Sequence, residues 1–537
     1  MAQLQQVNSR CPFISLSTNL RREPRPECIL CRVVSIEVRA FLEGTALASL
    51  FRDMISDDDS EAYPLRAFPE LAIISMMNTQ QRLMKIGIAL AIMLQGVALA
   101  FGQQSSATTV LQSDAKQRVE QAQGPADNSG TSRSISPVTP APAQPSYLTS
   151  IYGLQGVLAE TLDGSTVAAQ SVDEKFNPAS AVKLATALVA LQNLGPEHRF
   201  VTSLWVGGKI DKTTGTLTGD LIVTGRDPSL HYEHAIMLGR QLNQLGIRTI
   251  TGNLIVGPGF TMNFDWSAKH SGQQFLETLD AARRSASATR AWLDERTLVG
   301  DKESLSSVPS VTITGEVQVG SAPPEAVPLL THKSSKLVDV LKVLLCYSNN
   351  FMAERIGENV GGPQAVSATL ADKLKINADE IALSSTSGLG INRVTPRAMM
   401  KILRALSDEL WKHNLSLSDI LPVAGIDPGT LEDRYTDALT RGSVIAKTGT
   451  LVRTDGGASS LVGEMKTKSG RVVLFVILNQ HGNVLRFRHN QDGIVSAIQN
   501  ALGGPAPFSY RPVRLAMRLV DSDYETARAR GEYEPKN

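Results

Sequence analysis

The pattern of apolar and polar positions becomes regular from about residue 147 onward. Alternating positions in GVLAETLDGSTVAAQ (156–170) predict two strands that turn at Asp163-Gly164. The next apolar run, 176–197, predicts a buried helix. Its expected signals are Asn177 as the N-cap, Pro178 at the first helical position and Gly195 at the end.

The rest of the pattern predicts one β-rich region and one sheet covered by helices. TGDLIVTG (218–225) is echoed by TGNLIVG (251–257), which indicates two similar strands in one subdomain. Helical spacing dominates from about 335 to 406, and a last helix is expected near 490–502. SVIAKTGTL and RVVLFVILNQ have the continuous apolar character of buried strands. This order predicts an α/β sandwich, an antiparallel sheet covered by helices.

An apolar segment well inside the chain predicts export. Arg82 and Lys85 precede the apolar run 86–97, and Ala98-Leu99-Ala100 fits the small-x-small rule for signal peptidase. The apolar run is short of the roughly 20 residues that a spanning helix needs, so cleavage is favoured over a retained anchor. We expect a protein of the periplasm or cell envelope, with residues 1–75 belonging to an over-extended gene start.

Composition narrows the function only by exclusion. The chain has 537 residues and a net charge of +1, and a nucleic-acid binder should carry a basic excess. Cys346 is the single cysteine after the leader, and Cys28 and Cys31 form a lone CxxC without a second pair. We therefore expect no nucleic-acid partner, no metal and no cofactor.

The chemistry begins with Lys183, the only charged side chain between Lys175 and Glu197. Its stem could be buried while its ammonium reaches water. Alternatively, a desolvated Lys183 with a depressed pKa can act as a base toward Ser180, which lies one helical turn earlier. As the third helical residue, Ser180 would also have a free N–H that can stabilise an oxyanion. The pattern alone is weak, because SxxK recurs at Ser113 in the linker.

Two further motifs make the assignment specific. Ser348-Asn349-Asn350 follows an amphipathic helix, where Ser348 could also be only a helix cap. Lys447-Thr448-Gly449-Thr450 lies on a predicted strand, where it could also be a polar strand end turning at Gly449. SxxK, SxN and KTG in this order resemble the active-site serine penicillin-binding proteins and serine β-lactamases.

The long insert between the first two motifs narrows the resemblance to the low-molecular-mass class C penicillin-binding proteins, the D-alanyl-D-alanine carboxypeptidase/endopeptidase family. The supporting stretches, in family order, are FNPASAVK, GDLIVTGRDPSL, ITGNLIVG, SNNFMAERI, SGLGINRVTP, LPVAGIDPGTLEDR and IAKTGTL. The chain departs from the family at Asn349, where many members have an acidic residue, and at Ser385 or Thr386, just before SGL.

The resemblance implies a role for each motif residue. Ser180 attacks the carbonyl of the penultimate D-Ala, Lys183 takes its proton, and Ser348 relays a proton to the leaving amine. The implied substrate-binding residues are Asn350, Lys447, Thr448, Gly449 and Thr450. Among them, Lys447 would hold the terminal carboxylate, and the N–H groups of Ser180 and Thr450 would form the oxyanion hole.

The sequence patterns and the resemblance together predict a domain organisation. The predicted segments are an N-terminal extension (1–75), a signal peptide (76–100), a disordered linker (101–146), a catalytic domain in two pieces (147–200 and 325–505), an inserted β-rich domain (201–324) and a solvated C-terminal tail (506–537).

Three functional alternatives stay open at this stage. The implied function is a serine peptidase that acts on peptidoglycan stem peptides and is acylated by β-lactams. A serine β-lactamase of the same fold and a non-catalytic wall-binding or penicillin-sensing protein are the alternatives. Carboxypeptidase and endopeptidase activity are not distinguished, and neither is the oligomeric state.

Overall fold

The computed structural model describes residues 151–299 and 308–527. The predicted N-terminal extension (1–75), signal peptide (76–100) and linker (101–146) lie outside the described residues. None of the helices within the described ranges has the length and apolar character needed to cross a bilayer.

The elements are numbered in chain order over the described residues. The strands are β1 (Leu154–Thr161), β2 (Thr166–Gln170), β3 (Arg199–Asp211), β4 (Thr216–Gly225), β5 (Thr249–Ile250), β6 (Leu254–Val256), β7 (Thr312–Ile313), β8 (Val317–Val319), β9 (Val327–Lys336), β10 (Ile381–Ala382), β11 (Arg393–Val394), β12 (Val444–Leu451), β13 (Ala458–Lys466), β14 (Val472–Gln480) and β15 (Asp523–Thr526). The helices are α1 (Val182–Leu194), α2 (Tyr232–Gln244), α3 (Ala268–Leu279), α4 (Ala286–Val299), α5 (Leu337–Tyr347), α6 (Asn350–Asn359), α7 (Gly362–Leu374), α8 (Pro396–Lys412), α9 (Leu417–Ile420), α10 (Val484–Ala501) and α11 (Leu515–Val520).

The first sheet has five antiparallel strands in the order β12-β13-β14-β1-β2. Helices cover both of its faces. Leu474 and Val476 of β14 belong to a core shared with α1, α5 and α8, whereas Phe475 and Ile477 belong to a core shared with α10. Burial on both faces explains the continuous apolar run of this strand. The predicted α/β sandwich is confirmed.

The second sheet has the order β15-β9-β3-β4-β5-β7, with β6 also paired to β4 and β8 paired to β6. The two echoed sequences lie next to each other in it, because Leu221 of β4 pairs in parallel with Leu254 of β6. The second sheet extends beyond the predicted insert of 201–324, since β9 pairs along β3 as far as Lys336.

Local turn signals were read correctly at the first hairpin, which connects β1 to β2 and has Gly164 at a φ of 89°. The predicted helix start was wrong. A single 3₁₀ turn, Ala179–Ala181, precedes α1, so Ser180 lies in that turn rather than at the third position of the α-helix. The cause is Ala179, whose φ of 49° breaks helical continuity with Pro178.

The C-terminal tail was predicted to be a solvated extension, and this was also wrong. Leu515 and Leu519 lie four residues apart on α11 and are buried in the main core. Strand β15 then pairs antiparallel with β9, so the tail completes the second sheet.

Candidate active site

The turn that carries Ser180 is held in a strained but tightly enclosed conformation. The side-chain oxygen of Asn177 accepts a hydrogen bond from Ala179 N (3.1 Å), which supports the left-handed conformation at Ala179. A Cβ at Gly449 would lie 2.6 Å from the Pro178 carbonyl oxygen, so only glycine lets β12 approach the turn this closely. Strain of this kind persists only where the surroundings impose it, and it is concentrated at functional sites.

Lys183 lies one turn later and is completely buried. Its Nζ donates to Ser180 Oγ (3.0 Å), to Asn350 Oδ1 (2.7 Å) and to the Ser387 carbonyl oxygen (2.6 Å). Three acceptors match the three donors of an ammonium group. Burial lowers the pKa of Lys183 to about 7, and the carboxylate of Glu354 opposes this shift. A lysine with this pKa can gain and lose a proton at neutral pH.

The second motif lies at the junction of two helices. Ser348 ends α5 in the left-handed region, with φ 55° and ψ 41°. Asn349 is the N-cap of α6, because its side chain accepts a hydrogen bond from Met352 N (3.0 Å). Asn350 is then the first residue of α6, and this position brings its side chain to Lys183.

The third motif lies on β12, the edge strand of the first sheet. Thr448 and Thr450 line a cavity together with Ser180, Ser348 and Asn350. The structure therefore brings residues of all three motifs to one site.

Lys447 differs from the other motif residues because it is fully buried behind the cavity wall. Its Nζ donates to the Thr448 carbonyl oxygen (2.7 Å). Burial, assisted by the positive charge of Lys183, holds the pKa of Lys447 well below its ordinary value. The environment of Lys447 therefore disfavours its charged form.

The cavity has a volume of about 480 Å³ and includes residues that sequence reasoning missed. These are Gly429, Thr430, Asp433, Arg434, Arg488 and Asp492. The first four belong to the stretch LPVAGIDPGTLEDR, which indicates a family resemblance but no individual site residue. For Arg488 and Asp492, the only available signal was their four-residue spacing on one helix.

The two arginines of this wall differ in their partners. Arg434 is paired with Asp492, with Nη2 2.5 Å and Nε 3.0 Å from Oδ1. Arg488 Nη2 instead donates to Thr450 Oγ1 at 2.8 Å. The cavity wall thus combines one arginine whose charge is neutralised by an aspartate with one bound to a neutral hydroxyl.

Two further acidic residues support the site without lining the cavity. Glu354 accepts hydrogen bonds from Thr386 Oγ1 (2.7 Å) and Ser387 N (3.0 Å) and so fixes the segment that supplies one acceptor of Lys183. Asp455 accepts from Asn177 Nδ2 (2.7 Å) and forms an ion pair with the guanidinium of Arg393. Neither residue could be assigned from sequence, since their partners are distant along the chain.

Metal-assisted chemistry has no obvious site in the part of the chain that the structure describes. No group of three or more His, Cys, Asp or Glu side chains is arranged there to hold a metal ion. The chemistry that the geometry does support is nucleophilic, with a serine hydroxyl beside a desolvated amine.

Comparison with known families gives one match that covers most of the chain. The model of the D-Ala-D-Ala carboxypeptidase 3 (S13) family matches residues 149–310 and 303–500. A carboxypeptidase of Mycobacterium tuberculosis is 28% identical over 356 residues, which are 61% of this chain and 76% of that protein. A D-alanyl-D-alanine carboxypeptidase of an Actinomadura species is 25% identical over 456 residues, covering 67% of this chain and 83% of that protein.

Solved structures show the same fold at low sequence identity. A predatory endopeptidase of Bdellovibrio bacteriovorus, solved with an immunity protein, has a TM-score of 0.56 at 23% identity, covering 67% of this chain and 95% of its own. The penicillin G-acylated form of that endopeptidase has a TM-score of 0.57, also at 23% identity, covering 67% of this chain and 96% of its own.

Proposed function

This chain belongs to the D-Ala-D-Ala carboxypeptidase 3 (S13) family, and from that premise we propose that Ser180 is the nucleophile of its peptidase reaction. The enzyme is a serine-type hydrolase that acts on the D-Ala-containing stem peptides of peptidoglycan. The observation that carries the assignment of Ser180 is its Oγ, 3.0 Å from the Nζ of a fully buried lysine.

Acylation starts with the neutral form of Lys183. Its amine lone pair takes the proton of Ser180 as Oγ attacks the carbonyl carbon of the penultimate D-Ala. The developing oxyanion is stabilised by the N–H groups of Ser180 and Thr450. Both belong to backbone that the close contact of β12 with the Ser180 turn holds in place.

Collapse of the tetrahedral intermediate breaks the C–N bond. The leaving amine receives a proton that passes from Lys183 through the hydroxyl of Ser348, so Lys183 returns to its neutral form. Because Asn350 accepts from Lys183 through Oδ1, its NH₂ group is left to donate to the substrate peptide. Water then hydrolyses the Ser180 ester and releases the shortened peptide.

The hydroxyls of Thr448 and Thr450 bind the carboxylate on the leaving side. The side chain of Lys447 is buried behind them, so its part in this step is electrostatic at most and depends on its protonation. The leaving group can be a terminal D-Ala, which gives carboxypeptidase activity, or the side-chain amine of a cross-linking diamino acid, which gives endopeptidase activity.

We also propose that the enzyme works outside the cytoplasm. Its substrate class is found in the cell wall, and the apolar segment 86–97 with Ala98-Leu99-Ala100 has the pattern of a cleaved secretory signal.

Acylation by a penicillin tests the role of Ser180. We expect one covalent penicillin on the intact protein, located on Ser180 by peptide mapping, and no adduct on Ser180→Ala. Folded wild-type protein that forms no adduct would contradict the proposal.

The same experiment distinguishes the two alternatives. A serine β-lactamase would hydrolyse the adduct rapidly and turn over excess penicillin, whereas a peptidase keeps it for many minutes. A penicillin sensor would form the adduct but release no D-alanine from an acyl-D-Ala-D-Ala peptide.

A further inference from the structure

The cavity must hold a substrate carboxylate, and the lysine implied for this task by the family resemblance is poorly suited to it. Lys447 is completely buried and its Nζ donates to the Thr448 carbonyl oxygen. An exposed cation that lines the cavity would bind a carboxylate more directly, because charge-assisted hydrogen bonds need contact at about 2.7–2.9 Å.

Two cations line the cavity, and one of them is already neutralised. Arg434 donates three hydrogen bonds to Asp492, at 2.5, 3.0 and 3.3 Å, so its charge is balanced within the wall. Breaking this pair to bind substrate would leave Asp492 without its partner.

Arg488 has the opposite character. Within the described residues its guanidinium forms no ion pair, and its Nη2 donates to the hydroxyl of Thr450. A guanidinium has five N–H donors in a planar fork, so donors remain for a second acceptor. Its side chain is partly exposed and lines the same cavity as Ser180.

The hydrogen bond to Thr450 also orients that hydroxyl. Because Thr450 Oγ1 accepts from Arg488, its own hydrogen is free to point toward an acceptor in the cavity. Arg488 and Thr450 together therefore present adjacent donors, which is the pattern that a two-oxygen carboxylate requires.

Local sequence fixes Arg488 in this position. Asn483 caps α10 by accepting from Leu485 N and Arg486 N, both at 3.0 Å. Phe487 is fully buried and sets the rotation of the first turn. The next residue, Arg488, is thereby directed toward the edge strand rather than toward bulk solvent.

We propose that Arg488 binds the carboxylate of the residue on the leaving side of the scissile bond, and likewise the carboxylate of a β-lactam. This assignment rests on the proposed peptidase function. It makes Arg488 a specificity-determining residue for substrates whose leaving residue carries a free α-carboxylate. Asp433, which also lines the cavity, forms no ion pair with Arg488 and leaves this charge available.

The test compares an acyl-D-Ala-D-Ala peptide with its C-terminal amide, which lacks the carboxylate. Wild type should prefer the acid, measured as the ratio of kcat/KM values. Arg488→Ala should reduce that ratio roughly 10- to 100-fold, the range expected for a hydrogen bond to a charged group, mainly by slowing hydrolysis of the acid. Arg488→Lys should restore part of the preference because it keeps the charge without the fork.

Arg486→Ala is the matched control, since Arg486 lies on the same turn of α10 but outside this cavity. It should leave the ratio unchanged. A role of Arg488 confined to the packing of α10 against the cavity wall would slow the acid and the amide equally, and an unchanged ratio would overturn the assignment.

Acylation by a penicillin and by its methyl ester gives a second measurement of the same preference. If wild type releases D-alanine but Arg488→Ala keeps the full preference for free carboxylates in both assays, only the assignment of Arg488 fails. If folded wild type neither releases D-alanine nor forms an adduct, the proposed function fails and the assignment fails with it.

Discussion

At the residue scale, the protonation of Lys183 is set by its burial and by one nearby carboxylate, Glu354. Burial favours the neutral amine, whereas the negative charge of Glu354 favours the ammonium. Burial alone would also raise the pKa of Glu354, but hydrogen bonds from Ser387 and Thr386 outweigh it and lower that pKa below its ordinary value. Glu354 therefore stays ionised and limits how far the pKa of Lys183 falls.

Acylation should follow the neutral form of Lys183. With a pKa of about 7, the rate of penicillin acylation should rise as pH increases through 7 and then level off. Glu354→Gln removes the charge that stabilises the ammonium, so the pKa of Lys183 falls and the midpoint of the profile moves to lower pH. At about pH 6 the variant should acylate several-fold faster than wild type, because a larger fraction of Lys183 is neutral.

Glu358→Gln, on the exposed side of the same helix, should leave the profile in place. A midpoint that moves to higher pH in Glu354→Gln would contradict this account of Lys183.

Sequence reasoning found Lys183 but not Glu354 or Arg488, and the difference is physical. A lone charge in an apolar run stands out locally, because burying it unpaired is unfavourable. The importance of Glu354 depends on Thr386 and Ser387, and that of Arg488 on Thr450, and only the folded chain brings these partners together.

At the element scale, a buried ion pair holds the cavity wall against α5. Lys342 of α5 lies 2.7 Å from Asp427, and both side chains are fully buried. Asp427 also accepts from Val423 N (2.9 Å) and from the Tyr510 hydroxyl (2.7 Å). The loop held in this way carries Thr430 and Arg434, while α5 itself ends at the Ser348 motif.

Lys342→Met should therefore destabilise the protein strongly. It leaves the carboxylate of Asp427 buried without its cation, and removal of one partner of a buried pair costs about 3–5 kcal/mol. The free energy of unfolding, measured by urea titration, provides the check. A second expected effect is a higher KM for the peptide substrate, because the cavity wall loses its anchor.

Lys375→Met is the matched surface control. Its ion pair with Asp372 is exposed, with side chains 84% and 82% accessible, and its loss should change the free energy of unfolding by about 1 kcal/mol or less. Equal losses in the two variants would contradict the anchoring role of Lys342.

Elements were predictable where their signals are local. The hairpin at Gly164 follows from turn residues that lie beside its strands. The start of α1 was misplaced because Asn177 and Pro178 are standard helix-start signals, yet contact with β12 imposes a different turn on Ala179. Strand order was not predictable, since β1 pairs with β14 across most of the chain.

At the scale of the whole molecule, the C-terminal segment connects the two sheets. Arg518 pairs with Asp339 of α5 at 2.6 Å, and the Leu519 carbonyl oxygen lies 2.8 Å from Nε2 of His234 in the inserted region. Strand β15 then extends the second sheet beside β9. The domain boundary expected at 505 therefore divides segments that are in direct contact, since α11 and β15 on its C-terminal side contact α5, β9 and His234 on the other side.

For the N-terminal part of the chain, we predict cleavage by signal peptidase. We expect N-terminal sequencing of the exported protein to begin after Ala100, because signal peptidase selects small residues at positions such as 98 and 100. Ala98→Arg should block cleavage, whereas Leu99→Val, at the unconstrained middle position, should not. A mature protein that retains residues before 76 would contradict both the signal and the over-extended start.

The position of β1 inside the first sheet, next to the middle strand β14, has a consequence for synthesis. Its partner β14 ends at Gln480, so the central pairing of the sheet cannot form until most of the polypeptide has left the ribosome. Pairings between distant segments form slowly because a long loop must close first. The nascent chain thus remains without its central β-sheet for most of its translation. The export that we propose from segment 86–97 would therefore act on a chain whose first sheet is still unpaired.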